Sequence, residues 1–221
     1  MRRLPAGFCI DATEVTREQY AAWLAQNPNP SNQTGQCTGN TDFHPTPGCM
    51  SSAKCSTDCD RHPQECVDWC DAVAYCKAQN KRLCGKLGSG AVDYTAANDP
   101  LQSQWFAACS ANGVNAYVYG ADSVAGVCNA ENAFATTTVV GSLPGCQSPT
   151  SGYEGVFDLS GNVSEWEDCC DTNAQVCRTR GGGLSTAPTS HAVECQSRDF
   201  LSFSFLHVDN ETGFRCCSDP L

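Results

Sequence analysis

The chain has 221 residues, of which 17% are charged, and a formal net charge of −11. That length allows one large domain or two small ones, and the charge excludes a nucleic-acid surface, since so acidic a chain cannot neutralise a run of phosphates. An acidic surface suits calcium, cationic partners or simple solubility instead.

Residues 8–15, FCIDATEV, read as a short strand. A helix starts next: Thr16 and Gln19 make a capping box, and Val15 with Tyr20 forms a hydrophobic staple. Tyr20, Trp23 and Leu24 put an apolar stripe on that helix, and Asn27-Pro28-Asn29-Pro30 ends it. Residues 27–62 lack apolar periodicity and read as a long loop or insertion tied down by Cys37, Cys49, Cys55 and Cys59. A second helix is predicted at about 67–80, with Asp68 as N-cap and Asp71 in its first turn. Residues 85–98 are glycine-rich and irregular, and 102–111 form a short third helix that buries Trp105, Ala108 and Cys109. Beyond residue 112 only short extended runs remain, at 116–119, 137–142, 156–159, 181–185 and 213–216. The alternation of Phe200, Phe203 and Phe205 reads as a strand with one buried face more readily than as an aromatic binding patch. The fold class is α+β in one domain over 1–221, low in regular structure and braced by cross-links.

The 18 cysteines include no Cys-x-x-Cys, which argues against zinc knuckles and thioredoxin-type sites. Cys55/Cys59 and Cys66/Cys70 could each face a metal, but only four histidines are available as co-ligands, so disulfides are expected, up to nine of them. Disulfides on that scale place the chain in the periplasm, at the cell surface or in the medium. Its start, Met-Arg-Arg-Leu-Pro-Ala-Gly, has no apolar signal core, so an export segment is expected to precede it. No stretch is long and apolar enough for a transmembrane helix. Asn32-Gln33-Thr34 and Asn210-Glu211-Thr212 fit the N-glycosylation pattern, which matters only in a eukaryotic secretory host.

In FDLSGNVSEW, residues 157–166, Asp158 and Glu165 flank a Ser-Gly-Asn turn. Spacing alone is compatible with an ordinary acidic hairpin and with a hard-cation site. The wider order of motifs is more specific: FCIDATEVTREQY, WCDAVAYCKAQNKRLC, WFAAC, FDLSGNVSEW, RGGG, GFRC. This succession resembles the formylglycine-generating enzyme, or sulfatase-modifying-factor, family from Phe8 to Arg215. The resemblance implies a C-type-lectin-like fold. It also implies calcium held by the side chains of Asp158 and Glu165 and the carbonyls of Gly161 and Val163, with Asn162 bracing the turn and Ser164, a tryptophan position in the family, turned away. A second family calcium site would begin at Asn129, although its downstream acidic part has no match here. By the same comparison Cys76 pairs with Cys216, and Cys109 with Cys195.

Enzymes of this family bind copper(I) through two cysteines after the Arg-Gly-Gly-Ser motif, a soft ion suited to thiolates. Here those positions fall on Thr186 and near Ser190 or His191, so neither copper nor formylglycine-generating activity is expected. Ser190, His191 and Asp199 do not make a credible hydrolase triad, being neighbours on one loop with no nucleophile elbow. The loop acids Asp168, Asp171, Glu194 and Asp199 read as solvated rather than as a glycosidase pair. The expected function is a non-catalytic, calcium-stabilised extracytoplasmic binding or assembly module. It would meet a protein or glycan through loops near 184–194 and 200–210, with Thr186, Ser190 and His191 marking a ligand cleft. The alternatives are an enzyme of altered chemistry on the same scaffold and a structural subunit of a surface assembly.

Overall fold

Local caps set the helices where the sequence places them. In the computed structural model, which describes residues 1–33, 35–53, 55–186, 191–196 and 201–219, the predicted capping box at Thr16 forms, and the predicted N-cap Asp68 proves to be part of a second one. The elements in chain order are β1 (Arg2–Leu4), β2 (Phe8–Ile10), α1 (Arg17–Leu24), α2 (Pro47–Met50), α3 (Trp69–Ala78), β3 (Arg82–Leu83) and α4 (Gln104–Cys109). Then follow β4 (Ser164–Asp171), β5 (Val176–Arg180), β6 (Leu201–Ser204), β7 (Thr212–Phe214) and β8 (Cys216–Ser218). At α1 the Thr16 hydroxyl accepts from the Gln19 N–H while the Gln19 side chain accepts from the Thr16 N–H. At α3 Asp68 and Asp71 exchange the equivalent pair of bonds. Among the described residues no helix is long and apolar enough to cross a membrane.

The strands form two four-stranded sheets. One runs β1-β2-β8-β3, all antiparallel; the other runs β6-β5-β4-β7, with β4 and β7 parallel. The chain passes from the second sheet to the first between β7 and β8, over the single residue Arg215. That crossover puts a guanidinium at the junction of the sheets.

Helix α4 packs Trp105 with Phe8, Ile10, Val156 and Leu159 into one apolar cluster. Tyr20, Trp23, Phe43, Trp69, Tyr75, Trp166 and Phe214 build another, with Trp23 and Phe43 ring centroids 5.0 Å apart. The Tyr20 hydroxyl donates to the Phe43 carbonyl at 2.8 Å, which seats the 27–62 loop on this cluster. Three bridges hold that loop: Cys37–Cys70, Cys49–Cys66 and Cys55–Cys59.

Several sequence expectations are corrected. The strand expected over 8–15 stops at Ile10, and the runs at 116–119, 137–142, 156–159 and 181–185 are not strands. The long β4–β5 hairpin goes unpredicted because SEWEDCCD reads as a polar surface segment. Its acids are instead buried: Glu167 accepts from the Ser103 hydroxyl at 2.5 Å and lies 3.7 Å from Arg180, while Glu165 meets Arg215. Strand β6 forms where the phenylalanine alternation predicts one, with Phe203 against the second cluster; Phe200 lies outside the described residues.

The structure has eight of the up to nine disulfides expected, and Cys9 and Cys169 remain thiols. They sit in different sheets, Cys9 opposite Ser218 and Cys169 in a small cluster with Val92 and Ala97, so they cannot pair. Burial pushes the Cys169 thiol far above its usual range, aided by Glu167. Unreduced protein in guanidinium should therefore titrate two thiols per chain, and a titre of zero would mean that the pairing differs.

Candidate functional site

The opening turn of the site is shaped by backbone that ordinary residues avoid. Asp158 and Asn162 have φ near +64°, and Gly161 has φ +111°. A Cβ on Gly161 would stand 2.5 Å from the Asn129 carbonyl oxygen, so only glycine lets the two segments close. Asn162 then ties the turn. Its N–H donates to that carbonyl at 2.6 Å, its Oδ1 accepts from the Thr138 N–H at 2.8 Å and from Asn129 Nδ2 at 3.1 Å, and its Nδ2 donates to Glu14 Oε1 at 2.9 Å.

Below the turn lies a buried ionic cluster. Arg215 Nε donates to both oxygens of Glu165, at 3.0 and 2.8 Å, and Nη2 donates to Oε1 at 2.6 Å. Trp105 Nε1 donates to Glu165 Oε2 at 2.9 Å. The rest of the guanidinium is taken up by the carbonyls of Asp11 and Phe157, at 3.2 and 2.7 Å. Burial works against the Arg215 charge, but Glu165, Glu14 and Asp158 outweigh it, and its pKa is raised.

Two further carboxyls share this cluster. Asp158 Oδ2 accepts from the Gly141 N–H at 2.7 Å. Its Oδ1 is buried and finds no donor, as do Glu14 Oε2 and Asn129 Oδ1. Asp158 and Glu14 are close enough for their charges to interact. Burial raises Asp158 to about 6, and raises Glu14 well above the carboxylate range with help from the Asp158 charge. Neighbouring buried carboxyl oxygens with no donor supplied by their surroundings call for a proton or a cation.

The donor set is all oxygen, which fits a hard divalent ion. The fit is strongest at Asp158, Glu14 and Asn129. Glu165 fits less well, because Arg215 and Trp105 already engage both of its oxygens. No cluster of three or more His, Cys, Asp or Glu side chains that could hold a metal occurs among the described residues, so an ion here would also need amide and carbonyl oxygens. Sequence reading passed over Glu14. The only local sign of it is an acid set between the apolar Ile10 and Val15, in a segment that turns out to be buried.

Thr186 and His191, two of the three residues expected to mark a ligand cleft, are among the described residues. The Gly183 N–H donates to the Thr186 hydroxyl oxygen at 2.8 Å, and the Ser185 hydroxyl donates to Glu211 at 2.5 Å. His191 Nδ1 lies 2.8 Å from Glu194 Oε1 on a half-exposed side chain, with the Tyr117 hydroxyl 3.5 Å from the same oxygen. Ser190 and Asp199 lie outside the described residues. Asp168 and Asp171 belong to β4, and Glu194 pairs with His191. Cys109 is bonded to Cys195, and Cys76 to Cys216.

A family model described as the sulfatase-modifying factor enzyme 1-like domain matches residues 2–220. The chain belongs to this family. The sulfatase-modifying-factor domain has a C-type-lectin-like fold, in keeping with the few helices, small sheets and many cross-links seen here. Among solved structures, PvdO from Pseudomonas aeruginosa superposes with a TM-score of 0.63 at 18% identity, over 96% of this chain and 80% of that one. CarF gives 0.61 at 21%, over 97% and 87%. Treponema denticola variable protein 1 gives 0.58 at 19%, over 96% and 84%. Identities this low establish a shared fold. Comparison with curated protein sequences gave no significant match.

Proposed function

We propose that this sulfatase-modifying-factor domain is a non-catalytic, calcium-stabilised binding module of an oxidising, extracytoplasmic compartment. The observation that carries the reading is the state of sulfur near Thr186. The Thr186 oxygen is engaged by the Gly183 N–H, and the next thiol along the chain, Cys195, is in a disulfide. The two free thiols, Cys9 and Cys169, stand on separate sheets and cannot jointly hold copper(I). Eight disulfides support the extracytoplasmic placement.

Calcium would be held by Asp158 and Asn129, with Glu14 adding a carboxylate beyond those expected and the carbonyls of Gly161 and Val163 completing the set. Bound there, the ion supplies positive charge to a cluster in which three carboxyls face one guanidinium. Glu165 keeps its partner Arg215. The ligand would be a protein or glycan met by the loops near 184–194 and 200–210, where Leu206 is exposed.

Two measurements test the reading. Copper(I)-loaded protein incubated with a cysteine-containing peptide and oxygen should leave the peptide unoxidised; turnover would refute the non-catalytic assignment. Calcium at about 100 times its Kd should stabilise the fold by about 2.7 kcal/mol, and Asp158→Asn should abolish that gain. An equal gain in the variant would place the ion elsewhere.

A further inference from the structure

A cavity of about 690 Å3 opens between the 28–43 loop, α3 and the end of β4. Its walls are mostly apolar: Trp69, Val73 and Ala74 from α3, Phe43 from the loop, and the Cys37–Cys70 bridge between them. Its size falls within the range of about 300–1,000 Å3 typical of small-molecule sites. The 27–62 loop thus does more than cross-link; it supplies one side of a pocket.

One charged group lies inside this apolar lining. Asp168 is held in place by its backbone, its N–H donating to the Cys84 carbonyl at 2.8 Å and its carbonyl accepting from the Val92 N–H at 2.8 Å. Its carboxylate has no hydrogen-bond donor among the described residues. Burial raises it to about 6, and the nearby Arg82 charge limits the rise, so at pH 7.5 it is ionised. Arg82 Nη2 donates to Asp219 and to the Lys86 carbonyl, at 3.0 and 2.6 Å, while Nη1 makes no hydrogen bond to Asp168. Lys77, the other charged residue of the cavity, is at its exposed rim. The half-buried Asp168 carboxylate is thus the one negative charge among the mostly apolar walls of the cavity, and a cation that reached it there would be attracted in surroundings less polar than water.

We propose that this cavity binds a small organic amine, its apolar body against Trp69, Val73 and Ala74 and its ammonium group paired with Asp168. The ammonium donates charge-assisted hydrogen bonds to the carboxylate, and the chain's net charge of −11 draws cations towards the site. The site is separate from Thr186 and from Asp158, so it stands or falls independently of the copper and calcium assignments.

The test compares phenethylamine with its neutral isostere 2-phenylethanol, titrated into the disulfide-intact protein at pH 7.5 and followed by tryptophan fluorescence and calorimetry. The amine should bind at least about tenfold more tightly, the effect of one charge-assisted pair. Asp168→Asn should remove that preference, Val73→Trp should weaken both compounds by filling the cavity, and lowering the pH to 5 should shrink the preference in unmodified protein. Equal binding of amine and alcohol, no saturable binding of either, or a preference that survives in Asp168→Asn would overturn the proposal. If Asp168→Asn fails to fold, the pH comparison and Val73→Trp still decide it.

Discussion

Arg215→Ala should cost about 3–5 kcal/mol of folding stability, the penalty for stranding a buried charge. The guanidinium gives three close contacts to Glu165 and one each to the carbonyls of Asp11 and Phe157. Without it, Glu165 keeps only the Trp105 N–H, and the two carboxyls beside it lose their nearest cation. Arg215→Lys should recover little, since one ammonium cannot reach both Glu165 and the two carbonyls. Adding Glu165→Gln to Arg215→Ala should restore part of the loss by removing the stranded charge. Urea unfolding with disulfides intact measures all three, and a loss for Arg215→Ala below about 1 kcal/mol, the level of an exposed pair, would contradict the geometry. Because Arg215 is the one residue joining β7 to β8, the damage should reach both sheets.

Stability should fall as pH rises from 5 to 8, by roughly 3–6 kcal/mol if two buried carboxyls each contribute one to two pKa units of linkage at about 1.4 kcal/mol per unit. Burial raises Asp71 to about 8, with the Asp68 charge adding to it; burial also raises Glu65 to about 7, partly offset by Arg17, and Asp68 to about 6. A carboxyl whose native pKa is raised holds its proton more tightly folded than unfolded. Its contribution is fully present below the unfolded value near 4 and is lost as the pH climbs through the native value. The window is therefore about pH 4 to 8, and the protein should tolerate mild acid better than mild alkali. Asp71→Asn should flatten the slope whatever its effect on the absolute value. Chemical denaturation at pH 5, 6, 7 and 8 tests this, and a free energy that climbs towards pH 8 would rule it out.

The Thr16 capping box and the Asp68 N-cap were legible because each is a bond between residues three apart, decided by a few torsions. The order of motifs and the lack of cysteine at Thr186 were equally visible, since both are properties of the chain before it folds. The cysteine pairing was only partly so. Cys76 and Cys216 are 140 residues apart, and nothing local distinguishes them from Cys9 or Cys169, which end up as thiols. The acids of β4 misled for a related reason. A glutamate reads as solvated until its partner is known, and the partners of Glu165 and Glu167 are Arg215 and Arg180, brought close by the sheets.

The sequence by itself determined the helix starts, the acidic and disulfide-rich character and the likeness to one family, because these depend on residue type and near-neighbour spacing. Only the tertiary structure decided that Glu14 lies beside Asp158, that Arg215 engages Glu165, and that Asp168 lines an apolar cavity. Such contacts join distant segments, and the same Arg215 also reaches the Asp11 carbonyl, 204 residues away. Their geometry exists only once strand pairing and packing have excluded water and left each buried oxygen with whatever donors the fold supplies.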